Sequence, residues 1–156
     1  TQISGRGHSQ SVAQVVDDDE MNLLLVQRVL EGRGVAVDVA RDGMSALAAL
    51  ERSRPDLVIL DIMMPGISGA EVLDRIKANP ALATIPVIML TAKADDGDLI
   101  ESYRSGADYY VTKPLVPSQL LYGVGLILGS DFRSDPDPAA KTDRTPSRPR
   151  LVRPRQ

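Results

Sequence analysis

Four apolar runs along this chain each end abruptly in a polar residue. Leu57-Val58-Ile59-Leu60 runs straight into Asp61, and Val87-Ile88-Met89-Leu90 into Thr91. Tyr109-Tyr110-Val111 ends at Thr112-Lys113-Pro114, and Val12 to Val16 ends at the acidic cluster Asp17-Asp18-Asp19-Glu20. An unbroken apolar run bounded by turn residues reads as a strand buried on both faces, as in a parallel sheet covered by helices. Gln14 is the blemish, a polar residue inside the first run. Val35 to Ala40 reads as a further strand.

Between the strands the period changes. From Glu20 to Leu30, residues Met21, Leu24, Leu25, Val29 and Leu30 fall at helical spacing and are taken as the inward face, with Gly32 and Gly34 ending the helix. Asp42-Gly43 opens a second helix with Ala46, Leu47 and Leu50 inward, closed by Arg54-Pro55 because the residue before proline avoids the helical region. Ser68-Gly69 starts a third, through Val72, Leu73 and Ile76 to Lys77. Asp98 to Ser105 is a polar fourth helix, and Pro117 suits the first turn of a fifth, through Leu128. Five strands alternating with five helices through short connections predict an α/β fold: a doubly wound, five-stranded parallel sheet. The expected organisation is a disordered segment over 1–11, one domain over 12–129 and a disordered Pro/Arg-rich tail or linker over 130–156.

Composition narrows the chemistry. Aromatics are only 3% of the 156 residues, so the core is aliphatic. A net charge of −3 does not favour nucleic acid as a partner of the domain. With no cysteine and His8 alone in the polar start, thiolate and multi-histidine metal sites are excluded, as is a triad built on an ordered histidine. No run is long enough for a membrane span and no signal peptide is visible, so a cytoplasmic protein is expected.

What remains is hard oxygen chemistry. Parallel strands end on one rim, where open α/β sheets bind ligands, so Asp17, Asp18, Asp61, Thr91 and Lys113 converge there without being close in sequence. Clustered carboxylates need a cation, and oxygen ligands select Mg²⁺, Mn²⁺ or Ca²⁺. Mg²⁺ completes its shell with water and phosphoryl oxygens, and an ammonium and a hydroxyl opposite suit the remaining phosphoryl oxygens, so the site reads as one for phosphoryl transfer. Aspartate beside a metal can itself be the nucleophile.

Val15-Val16-Asp17-Asp18, Leu60-Asp61-Ile62-Met63-Met64-Pro65-Gly66, Met89-Leu90-Thr91-Ala92 and Val111-Thr112-Lys113-Pro114 together resemble the signatures of bacterial response-regulator receiver domains, over roughly residues 12 to 128. The resemblance implies a flavodoxin-like (βα)₅ fold that accepts a phosphoryl group from a sensor histidine kinase or phosphotransfer protein in a Mg²⁺-dependent reaction, with Mn²⁺ able to substitute. It implies Asp61 as phospho-acceptor, Asp18 as direct metal ligand, Asp17 as ligand through water and the Met63 carbonyl as a further ligand. Thr91 and the Ala92 backbone N–H would bind the phosphoryl group, and Lys113 would be the essential cation, its bond to Pro114 cis. Tyr110 would switch rotamer with Thr91 and bias the face of the fourth helix, fifth strand and fifth helix. Met63 and Lys93 lie where the family tunes hydrolysis, and apolar Met63 implies slow self-dephosphorylation.

Two further readings stand beside this one: an unphosphorylated protein-binding module, and an aspartyl-phosphate phosphatase. The phosphatase reading is weakened because the position two residues past Asp61, where such enzymes carry a second Asp, holds Met63. The last helix carries Gly123 and Gly125 and no charge, which predicts a homodimer contact or effector docking there. Arg144 to Gln156 holds five arginines and no acidic residue, so the tail is the only segment with chemistry for nucleic acid; it is read as a solvated linker.

Overall fold

Three of the four apolar runs become strands one residue longer than themselves, with Asp61, Thr91 and Thr112 still held in the sheet, whereas the first strand ends with its run at Val16. A computed structural model describes residues 10–92 and 106–129. It has strands β1 (Val12–Val16), β2 (Ala36–Ala40), β3 (Leu57–Asp61), β4 (Val87–Thr91) and β5 (Tyr109–Thr112), and helices α1 (Glu20–Glu31), α2 (Gly43–Arg52), α3 (Gly69–Ala78) and α4 (Pro117–Leu128). The helix read over Asp98 to Ser105, Lys93, His8 and the basic tail lie outside the described residues.

All strand pairs are parallel, in the order β2-β1-β3-β4-β5. The sheet is therefore the doubly wound one that the alternation predicts. α2 and α3 cover one face, with Ala46, Leu50, Val72, Leu73 and Ile76 against Val16, Val58, Leu60 and Met89. α1 and α4 cover the other, with Leu23, Val26, Leu30, Leu120 and Val124 against Ala13, Val15, Ile59 and Leu90. β3 and β4 are buried along their whole length, which is why their sequences lack alternation. The strand order reverses between β1 and β3, and the crevice there opens at the carboxyl ends of the strands.

Three helices begin on side-chain caps. Asp19 accepts from the Met21 N–H, Asp42 from the Ser45 N–H and Ser68 from the Glu71 N–H. α1 departs from expectation in its phase: it buries Leu23, Val26 and Leu30, whereas Met21 and Leu24 are exposed and Leu25 and Val29 only half-buried. Leu23-Leu24-Leu25-Val26 puts apolar side chains on every side of the helix, so spacing cannot choose a face. The short β1–α1 connection does.

Gln14 is buried with its neighbours rather than expelled. Its Nε2 donates to the Ala46 carbonyl at 3.4 Å, and its Oε1 has no partner. In α4, Gly123 lies against the Tyr109 ring, where a Cβ would come within 2.6 Å of Cε2, so a helix-weakening residue is needed for close packing. The exposed large apolar residues of α4 are Tyr122 and Leu126.

Candidate functional site

Asp61 is the last residue of β3, so its backbone is fixed in the ladder while its side chain enters the crevice. The Ile62 N–H continues the ladder to the Leu90 carbonyl at 3.0 Å. The chain then leaves the sheet and returns as α3, and the Gly69 N–H donates to the Ile62 carbonyl at 2.8 Å. A Cβ on Gly69 would overlap the Asp61 carbonyl and sit 2.8 Å from the Ile62 Cα. Glycine is what lets the first turn of α3 rest directly on the backbone of Asp61 and Ile62.

Asp17 follows β1, its N–H donating to the Ala40 carbonyl at 3.2 Å. Asp17, Asp18 and Asp61 each bring a carboxylate oxygen within 4.8 Å of the others; Asp17 and Asp61 are buried and Asp18 is exposed. The set fits a hard divalent cation: three carboxylates, no nitrogen or sulfur, and one ligand open to water. Lys113 enters from the far side. Its N–H donates to the Thr91 carbonyl at 2.7 Å, which ends the β4–β5 ladder, and the Lys113–Pro114 bond is cis, as expected. Its Nζ lies 2.9 Å from Asp61 Oδ1 and 3.4 Å from Asp17 Oδ2, bridging the two buried carboxylates.

The electrostatics follow from burial. Desolvation pushes the Asp61 carboxyl up to about 6; the Lys113 hydrogen bond opposes this and the negative charge of Asp17 adds to it. Burial would lower the Lys113 ammonium, but its contacts with Asp61 and then Asp17 hold it above the usual lysine range. Two buried carboxylates and one ammonium leave an excess of negative charge, which a cation would relieve.

Thr91 is buried at the end of β4, its Oγ1 donating to the Ala92 carbonyl at 3.3 Å, and Ala92 follows at the rim, half-buried. Met89 pairs with Tyr110 and Thr91 with Thr112, so Thr91 and Tyr110 belong to the same sheet face, and Tyr110 packs half-buried against the core under α2 and α3. Met63 is 63% exposed at the mouth.

Two residues of this neighbourhood do not stand out in the sequence as site residues. One is Gly69, which reads only as a helix start. The other is Asn22, whose Nδ2 donates to Asp17 Oδ2 at 3.2 Å. An Asn in a first helical turn where Glu or Gln is favoured is the one local signal.

This geometry has close counterparts. The family model described as response regulator receiver domain matches residues 13–124. The DNA-binding response regulator MtrA of Mycobacterium tuberculosis is 41% identical over 125 residues, 80% of this chain and 52% of that protein. The response regulator PleD of Caulobacter vibrioides is 42% identical over 101 residues, 65% of this chain and 22% of that protein. Among solved structures, the chemotaxis response regulator CheY4 of Vibrio cholerae superposes with a TM-score of 0.71 at 28% identity, covering 76% of this chain and 99% of that one. The chain spans about half the length of MtrA. With its sheet order, its rim of aspartates and its match along most of its length, this chain belongs to the response regulator receiver domains of two-component systems.

Proposed function

We propose that Asp61 is the phospho-acceptor of this receiver and takes its phosphoryl group from a phosphohistidine on a sensor histidine kinase or phosphotransfer protein. The observation that carries the reading is the Lys113 bridge: a buried carboxylate at the end of β3 held 2.9 Å from an ammonium, with two further aspartates beside it at the switch point. An Asp61 oxygen forms the new P–O bond as the P–N bond of the donor breaks, and the released imidazole nitrogen keeps the electron pair and takes a proton. Asp18, Asp61 and the Met63 carbonyl would hold Mg²⁺, or Mn²⁺ in its place, with Asp17 acting through water. The bound ion supplies charge neutralisation for the phosphoryl oxygens. Lys113 turns from Asp61 Oδ1 to a phosphoryl oxygen, and the Thr91 hydroxyl and Ala92 N–H take the others.

The phosphoryl group brings about two negative charges to one point. Thr91 moves toward it, and the space it leaves is read by Tyr110 on the same sheet face. The output surface lies beside β5 and α4, where Tyr122 (63% exposed) and Leu126 (59% exposed) leave an apolar strip for an effector or a second copy. The functional unit spans 12–129, in the cytoplasm. Among the described residues no helix is long and apolar enough to cross a membrane. Met63 shields the acyl phosphate from water, and Lys93 is the second tuning position.

Incubation with a small phosphodonor and Mg²⁺, followed by intact-mass spectrometry, tests the acceptor. A base-labile phosphoryl adduct is expected on the wild type and not on Asp61→Asn. An unmodified wild type, or equal yield on the variant, refutes the assignment.

A further inference from the structure

We propose that Asn22 is a positioning residue for the cation: it fixes the Asp17 carboxylate through which a water ligand is held. The proposal rests on the metal reading above. Asp17 is 1% exposed and both its oxygens are occupied. Oδ1 accepts the Asp19 N–H at 2.9 Å. Oδ2 accepts Asn22 Nδ2 at 3.2 Å and faces Lys113 Nζ at 3.4 Å. Of these three partners, the ammonium is the one shared with Asp61. When Lys113 turns to a phosphoryl oxygen, Asn22 is left as the side chain that aims Oδ2.

The choice of residue supports this. Asn22 is the third residue of α1, after the N-cap Asp19. Helices favour Glu or Gln there, because the side chain reaches back to the N-cap N–H. In this chain that N–H already donates to Asp17, so the usual partner of a third-position Glu is taken. A Glu would also bring a fourth carboxylate beside Asp17, Asp18 and Asp61. Asn is a weaker helix former than Ala, Glu or Gln, but it offers a neutral donor of the right length. Helix propensity yields here to the site.

Groups that orient metal ligands typically change affinity by about 10- to 100-fold when removed. Asp17 acts through water, so the low end applies. The measurement is direct: Mg²⁺ titration of the phosphate-free chain followed by backbone amide NMR shifts, with no turnover required. Asn22→Leu is expected to raise the Mg²⁺ dissociation constant about 10-fold, while Asn22→Gln, which keeps an amide donor, stays within about 3-fold of wild type. Asn22→Ala replaces Asn22→Leu if the larger apolar side chain disturbs α1. Wild-type affinity in Asn22→Leu or Asn22→Ala overturns the proposal. Equal losses in Asn22→Gln and Asn22→Leu overturn the role of the amide donor. A wild type that binds no Mg²⁺ removes the metal reading itself and this proposal with it, and so is distinguishable from the failure of Asn22 alone.

Discussion

Replacing Asp61 by Asn should make the metal-free chain more stable at neutral pH. Burial holds the Asp61 carboxyl at about 6, despite the ammonium 2.9 Å away. An aspartyl carboxyl in the unfolded chain titrates near 3.9, and each unit between the two states is about 1.4 kcal/mol. The folded state therefore holds this proton more tightly. The stability it contributes is full below about pH 4 and is lost as pH rises through about 6. At pH 7 the ionised group costs about 3 kcal/mol relative to its protonated form, and at pH 5 about half that. Asn, like the protonated carboxyl, keeps an oxygen acceptor for Lys113 and carries no charge; burying its amide N–H group offsets part of the gain, and a net of about 1–3 kcal/mol is expected at neutral pH. That offset is independent of pH across the range. The signature is therefore the slope: the stability gap between variant and wild type should widen by about 1 kcal/mol from pH 5 to pH 7 and then level off. Urea unfolding in EDTA at several pH values reads it directly. Saturating Mg²⁺ should shrink the gap, because it binds the folded wild type and meets one carboxylate fewer in the variant. A gap that stays constant with pH, or narrows as pH rises, would falsify the claim that Asp61 is held ionised at a cost.

Two other substitutions probe the scaffold. Gln14→Leu removes a buried Oε1 with no partner at little change in volume, and should raise stability by about 1 kcal/mol in urea unfolding; a lower midpoint would show that the 3.4 Å bond to Ala46 matters more than the orphaned oxygen. Gly69→Ala forces α3 away from the backbone of Asp61 and Ile62, and should cost at least about 2 kcal/mol and weaken Mg²⁺ binding; a wild-type unfolding midpoint would mean that the loop relaxes freely.

Most of the site is legible in the sequence, because a parallel sheet converts sequence position into spatial position. Residues just past each apolar run must share one rim, so Asp17, Asp18, Asp61, Thr91 and Lys113 follow from the runs alone. β3 and β4 are legible for a related reason: a strand buried on both faces has no room for polar alternation. α1 is not, since four successive apolar residues satisfy any helical phase, and the buried face is decided by how the short connection from β1 sets the helix on the sheet.

Contacts that depend on more than one element belong to the tertiary structure alone. No local rule says that Lys113 spans 2.9 Å to Asp61 and 3.4 Å to Asp17, or that Asn22 turns its amide to Asp17 rather than to solvent. The same holds for Gly69 under Asp61 and Gly123 against Tyr109, where a missing Cβ has meaning only once the opposing surface is in place. Sequence by itself determined which chemical groups reach the rim, through the polarity at each strand end. Tertiary packing decided their pairing and their charge balance, because hydrogen bonds and desolvation depend on distances that only the assembled sheet and helices define.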